Sequence, residues 1–430
     1  MAIVPATSAA EEQADERLTP RSLATLIACA AMMMIEGYDL AAMPLAVPLV
    51  SDAWQLAPEN FAVALSAIVL GIGIAAVTLA PLGDRVDRRN MILGTAAIVT
   101  LATFGTATAT SVSELFVWRL LNGLALGACL PNITAMVARI APGRIRARAL
   151  TLVSTAIPIG AVLAALLASP LATFGSWQFI FTAAGLVTLV VTGVMWFLLS
   201  SAEMRGRLAN REVDRSAASA VVPDRDSKAD LAFPVFALLR RAYLPSTIVF
   251  LGLATTNTFL VYMLISWLPT VLPMSGITVA EAARLSSLVQ GGGIIGSLIY
   301  AYFLDRKRAI KALATGYVMA IGALLILAGG QLDTLPLAAM LLVVGTSISG
   351  AHTAIMILGM SFYPAHMLSS AVGLKIAVTR SGAVLGPLAG GWVIAAAPGI
   401  GPFMLVAAIP AVLAVLWVLA VPVVRGTWRI

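Results

Sequence analysis

Charge is what this chain has least of. Only 11% of its 430 residues are Asp, Glu, Lys or Arg, against 60% that are hydrophobic. A soluble chain of this length needs roughly twice that share of charge to cover its surface. Histidine is nearly absent, and the two cysteines, Cys29 and Cys129, both lie in apolar runs where they read as small packing residues. Two scattered thiols supply neither a disulfide framework nor a four-ligand zinc site. There is no Gly-rich phosphate loop, no metal-ligand cluster and no Ser/His/Asp set in a usable context. An enzyme is therefore not expected. With no nucleotide site and no cofactor, the energy source is expected to be an ion gradient. The formal net charge of +7 raises the question of nucleic acid. The basic residues, however, sit in short segments and form no aromatic-interleaved patch, so no nucleic-acid partner is expected.

What the chain does have is long apolar runs. A bilayer core of about 30 Å takes about 20 apolar residues per helix. Runs of that size fall near 22–47, 59–82, 91–111, 114–138, 149–170 and 177–200, and again near 244–269, 281–304, 311–330, 335–360, 371–395 and 402–424. The pattern predicts an all-α polytopic membrane protein of 12 transmembrane helices in two six-helix bundles. The organisation read from it is a tail at 1–21, a first bundle at 22–200, a central loop at 201–243, a second bundle at 244–424 and a tail at 425–430. The N-terminal tail is polar, with Glu11, Glu12, Asp15 and Glu16, and is not expected to be a cleavable signal. Lys and Arg gather at 83–90, 139–148, 201–243 and 305–311 and are missing from the alternate connections. The positive-inside rule then places the basic loops and both termini in the cytoplasm. The connection at 361–370 follows the rule poorly, offering His366 alone.

The halves echo each other. One run ends in Gly83-Asp84-Arg85, with Arg88 and Arg89 following, and its counterpart ends in Leu304-Asp305-Arg306. A repeated element at the same place in each half is expected of two parallel repeats. In these respects the chain resembles the major facilitator superfamily along essentially its whole length. Asp84, Arg85, Arg88, Arg89, Asp305 and Arg306 are then candidates for a gating latch between helix ends, besides being a topology signal.

Ionisable residues inside a span are the informative ones, because each is costly unless it faces a partner or water. Glu36 and Asp39 stand three apart, which puts both carboxylates on one helix face. Two such groups in a poorly hydrated site repel, so the pair suits loading and releasing protons. A buried ion pair that only positions the helix is the alternative. Arg119 opens a run containing Asn122, Gly123 and Gly127, and glycines four apart make a smooth face for a neighbouring helix. Its depth differs from that of Asp39 by about 5 Å, within the reach of an arginine. An Asp39–Arg119 pair that breaks with proton load, or a static one, both fit. Arg380 lies near the midplane with no acid nearby in sequence, as bidentate capture of a substrate carboxylate would require. Lys375 is nearer the edge, where snorkelling competes with substrate binding. His352 can titrate in the working range or simply be hydrogen-bonded. Tyr38, Asn132 and Asn257 complete the candidates for orienting a substrate. Tyr262, Trp267 and Tyr363 could line either a cavity or an interface.

Together these motifs resemble those of the aromatic acid:proton symporters of the superfamily. Glu36-Gly37-Tyr38-Asp39 is similar to that family's acidic motif in helix 1, with Glu where Asp is usual. Arg119 to Asn132, Trp267-Leu-Pro269, Phe362-Tyr363-Pro364 and Arg380-Ser-Gly382 to Gly391 resemble its helices 4, 7, 10 and 11. The resemblance implies an importer, working by proton symport in the bacterial inner membrane as a monomer, of an aromatic acid that could be lignin-derived. Leu368 departs from the family's usual Arg, Arg139 from its frequent Glu, and Lys375 adds a cation, so the particular acid is not inherited; a larger lignin-derived acid, or one with two carboxylates, would suit the extra cation. Alternatives remain. One is a proton-coupled antiporter exporting drugs or organic anions, though helix 5 offers only Pro158-Ile-Gly160 of the glycine-proline pattern antiporters show. A transporter of another organic acid, a sugar carrier and a membrane sensor are further possibilities.

Overall fold

A backbone in hydrocarbon has to satisfy its own hydrogen bonds, and the apolar runs of this chain do so as α-helix. The computed structural model describes residues 19–79, 87–173, 176–200, 238–240, 243–329, 332–364 and 367–426. Twelve long helices follow in order. The first six are α1 (Pro20–Trp54), α2 (Ala62–Thr78), α3 (Arg88–Thr108), α4 (Val112–Ile140), α5 (Arg146–Thr173) and α6 (Gln178–Leu199). The second six are α7 (Leu244–Val271), α8 (Val279–Asp305), α9 (Ala309–Gly329), α10 (Thr334–Met360), α11 (Leu368–Ala396) and α12 (Ile400–Gly426). Among the described residues, 11 helices are long and apolar enough to cross a membrane; α11, which carries Lys375 and Arg380, falls outside that set.

Local chemistry sets the ends. Thr19 accepts from the Ser22 N–H at 3.2 Å to start α1, Ser111 from Glu114 N–H at 3.2 Å to start α4, and Thr278 from Glu281 N–H at 3.2 Å to start α8. The sequence predicts that the first helix stops at 47, before Pro48. The helix instead runs through Pro44 and Pro48 to Trp54, and Gln55 ends it in the left-handed region at φ 52°. Neighbouring helices make such prolines tolerable inside a span. One turn of α10, Gly345–Ser349, is π-helical, which the sequence does not announce.

Glycine decides which helices touch. A Cβ on Gly37 would collide with the Ile157 carbonyl, and one on Gly160 with that of Met34, so α1 and α5 meet backbone to backbone. Gly382 and Gly386 seat α11 against the Thr255 and Phe259 carbonyls of α7 in the same way. Gly123 and Gly127 of α4 lie on α2, where a Cβ would strike Ile68 and Ile72. Gly296 of α8 lies on Thr346 of α10. The repeat seen in the sequence is thus repeated as packing. The smooth glycine face expected on α4 is the seat of α2.

The two bundles are joined unevenly. One apolar cluster takes residues from both, including Met43, Val47 and Val50 of α1, Phe61, and Leu260, Trp267 and Leu268 of α7. It lies at the end where α1 leads into α2 and α7 into α8. At the opposite end the core divides. One cluster is drawn from α1–α6 with Ala383 of the second bundle, Tyr262 and Val384 packing against it, and the other from the second bundle with Leu238. The Ser66 hydroxyl, near the start of α2, donates to the Val384 carbonyl of α11 at 2.9 Å.

Candidate transport site

Asp39 is fully buried and faces into the first bundle. Asn122 Nδ2 donates to its Oδ2 at 3.0 Å, and the Thr103 hydroxyl approaches the same oxygen at 3.4 Å. Arg119 Nη1 stands 4.0 Å from Oδ1, at the outer limit of an ion pair, while its Nη2 donates to the main-chain carbonyl of Asp39. The guanidinium also sits 5.9 Å over the Phe181 ring. The expected Asp39–Arg119 juxtaposition is present. Its tightest bond goes to the backbone of α1, which keeps Arg119 in place whatever the charge on the carboxyl. Thr103 and Phe181 carry no sequence signal that would have singled them out.

Glu36 turns elsewhere, although it shares the helix face with Asp39. It is 5% exposed, and its Oε2 has no hydrogen-bond partner. Arg380 of α11 is the charge acting on it most strongly, ahead of Asp39. Arg380 thus lies within electrostatic reach of Glu36 across the two bundles, with no hydrogen bond joining them. The Tyr262 hydroxyl of α7 also interacts with the Arg380 guanidinium, and its ring packs against the first bundle's apolar cluster. Gly73 of α2 makes room for the arginine stem: a Cβ there would lie 3.3 Å from Arg380 Cβ. That glycine was not legible beforehand, since its partner is more than 300 residues away in the chain.

Lys375 differs from the snorkelling side chain expected of it. It is 4% exposed, and its Nζ lies 3.2 Å from His352 Nε2 on α10. An ammonium can only donate, so Nε2 accepts and the imidazole proton sits on Nδ1. His352 itself is exposed to solvent although protein surrounds it and both Lys375 and Arg380 act on it electrostatically. On α4, Pro131 and Thr134 are exposed at similar depth.

The remaining candidates lie apart from Arg380. The Tyr38 hydroxyl donates to the Ile180 carbonyl of α6 at 3.0 Å. Asn132 Nδ2 donates to the Ala128 carbonyl of its own helix at 2.8 Å. Asn257 Oδ1 accepts from the Tyr317 hydroxyl at 2.7 Å, leaving Nδ2 without a partner in the core of the second bundle. Trp267 donates to the Pro387 carbonyl at 2.7 Å and Tyr363 to Thr247 at 3.0 Å, so both are packing residues of the second bundle. Among the latch candidates, Asp84 and Arg85 lie outside the described residues, as does most of 201–243. Arg89 Nη2 donates to Ser200 at 2.6 Å, at the end of α6. Arg306, next to Asp305, stacks on Tyr302 of its own helix at 3.7 Å. Arg88 stands at the start of α3, which Asp87 caps by accepting from Arg89 N–H at 3.0 Å.

Known proteins agree with this architecture. The chain is 29% identical over 417 residues to the gallate transporter of Pseudomonas putida, covering 92% of this chain and 90% of that one. It is 26% identical over 406 residues to the 4-hydroxybenzoate transporter PcaK of Pseudomonas aeruginosa, covering 89% and 88%. Among solved structures, the nucleoside transporter NupG superposes with a TM-score of 0.75 at 15% identity, over 95% of this chain and 99% of that one, a likeness of fold. The model of the Major Facilitator Superfamily matches residues 22–382, and the chain belongs to that family: it is a multi-pass membrane transporter and not an enzyme.

Proposed function

We propose that the protein imports an aromatic carboxylate together with protons across the bacterial inner membrane, by alternating access. One observation carries the reading: the buried carboxylate of Glu36, with Oε2 unpartnered, lies within electrostatic reach of Arg380 of the other bundle. Six ionisable side chains lie deep in the described spans. Asp39 and Arg119 close on each other. Glu36 then stands alone against Arg380 and Lys375, with His352 beside them, so the site holds one cation in excess. An anion suits that balance.

Coupling follows from competition. While Glu36 is ionised it satisfies Arg380. When it takes a proton, the guanidinium is released to grip a substrate carboxylate through two parallel hydrogen bonds. Proton and anion therefore favour each other's binding, which is the linkage symport requires. Loss of the proton on the far side returns Arg380 to Glu36 and expels the substrate. With the basic loops and both termini in the cytoplasm, the undivided cluster is the outer end and the parted end opens inward. The aromatic acids carried by the two relatives, gallate and 4-hydroxybenzoate, support the substrate class.

The test is uptake of radiolabelled aromatic acids by cells expressing the protein, with and without a protonophore. Wild type is expected to accumulate an aromatic acid only while the proton gradient stands. Arg380→Ala is expected to lose binding and uptake. Glu36→Gln is expected to keep exchange of internal for external substrate while losing uphill accumulation. Failure of well-expressed wild type to take up any aromatic acid would overturn the reading and bring export forward.

A further inference from the structure

The proposal above counts Lys375 in the charge balance of the site but gives it no contact with the substrate. The side chain is 96% removed from solvent, its exposure being 4%. Among the described residues no carboxylate pairs with it. Its one hydrogen-bond partner is His352 at 3.2 Å, which leaves two ammonium donors free, and the charge acting on it is the like charge of Arg380. An ammonium buried beside a second cation is strongly disfavoured unless an anion is close. Asp39 cannot serve, being held by Asn122, Thr103 and Arg119 in the first bundle. Glu36 has Arg380 as its main opposite charge. A monocarboxylate gripped by Arg380 would leave Lys375 uncompensated, and the excess would be greatest when Glu36 is protonated for transport.

We infer that Lys375 and His352 form a second anion subsite and that the preferred substrate is an aromatic dicarboxylate, one carboxylate on Arg380 and the other on Lys375. The inference rests on the proposed function and specifies its substrate. Residues five apart on one helix are offset by about 7.5 Å along its axis and by about 140° around it, so the two side chains leave α11 on different faces; the two cations nevertheless act on each other electrostatically, which keeps both within reach of one ring's two carboxylates. His352 fixes the ammonium and is itself exposed, so the subsite is not sealed on that side. Tyr262, against Arg380, supplies an aromatic wall.

The experiment measures affinities of purified protein for benzene-1,4-dicarboxylate, benzene-1,3-dicarboxylate and 4-hydroxybenzoate by ligand-dependent thermal shift. Wild type, Lys375→Met and Lys375→Arg are compared. In wild type at least one dicarboxylate is expected to bind tenfold or more tightly than the monocarboxylate. Lys375→Met is expected to lose that preference, with 4-hydroxybenzoate binding unchanged or improved, and Lys375→Arg to restore part of it. Comparing two ligands on one variant separates recognition from misfolding. A wild type that prefers the monocarboxylate would overturn the subsite and leave the proposed function standing, as would equal losses for both ligands in Lys375→Met. If no aromatic acid binds wild type, the proposed function fails and the subsite with it.

Discussion

Glu36 and Asp39 show how far three residues of separation can divide two like groups. Both lie on one side of α1, yet Asp39 Oδ2 accepts from Asn122 and Thr103 and its Oδ1 stands 4.0 Å from Arg119, while Glu36 has no hydrogen bond at Oε2 and Arg380 as its main opposite charge. The two substitutions should therefore part company. Asp39→Asn removes the countercharge of a fully buried arginine, and stranding one member of such a pair costs about 3–5 kcal/mol. We expect a clear fall in thermal unfolding temperature, most of it recovered in the double variant Asp39→Asn/Arg119→Met, where neither charge is left alone. Glu36→Gln removes a charge that nothing hydrogen-bonds at Oε2, so its unfolding temperature should match or exceed that of wild type while accumulation is lost. An equal drop in stability for both variants would show that Glu36 is held as firmly as Asp39 and would weaken its assignment as the mobile proton site.

At the scale of the helix, backbone contact governs the arrangement. Gly37 sits between Glu36 and Tyr38 and fixes the rotation of α1, because only a residue without Cβ lets α1 rest on Ile157 of α5. Gly37→Val should therefore reduce the yield of folded protein severely, since a core position that cannot yield is overpacked at a cost of about 1–3 kcal/mol or more. Gly94→Ala in α3 meets nothing within 4 Å and should be neutral or slightly stabilising, given alanine's better helix propensity. Fluorescence-detected size-exclusion profiles of the two variants distinguish these outcomes. Much of this level was legible in the sequence, because the bilayer imposes a length on each apolar run and the glycine spacing of α4 marks a contact face. The end of α1 lies beyond the apolar run expected near 22–47, because the helix continues through Pro48, Ser51 and Asp52 to Trp54. The site was legible in its charges but not in its pairings. Burial cost makes Arg380 and Lys375 conspicuous in any apolar run, whereas Gly73, Tyr262 and the His352–Lys375 bond depend on which helices meet, a long-range fact that no local pattern encodes.

For the whole molecule the question is whether the joined end of the two bundles separates during the cycle. That end is held by apolar packing around Val47, Phe61 and Trp267 and by the close approach of α11 to the turn before α2. A Cβ on Gly391 would lie 2.7 Å from that of Ala62. Disulfide-bonded residues hold their Cβ atoms about 3.8 Å apart, so about 1 Å of relaxation would admit a bond between cysteines placed there. Cys29 and Cys129 are fully buried and free, so replacing both with alanine gives a background in which only the introduced pair reacts. In that background Ala62→Cys/Gly391→Cys should cross-link readily under mild oxidation, lose uptake when oxidised and regain it on reduction, with each single variant remaining active throughout. Alternating access requires this result, because a site that opens first to one side and then to the other must part the bundles where they now meet. Full transport by the cross-linked protein would mean that this end stays closed while substrate passes, and the rocking of one bundle against the other would have to be abandoned for motion confined to single helices.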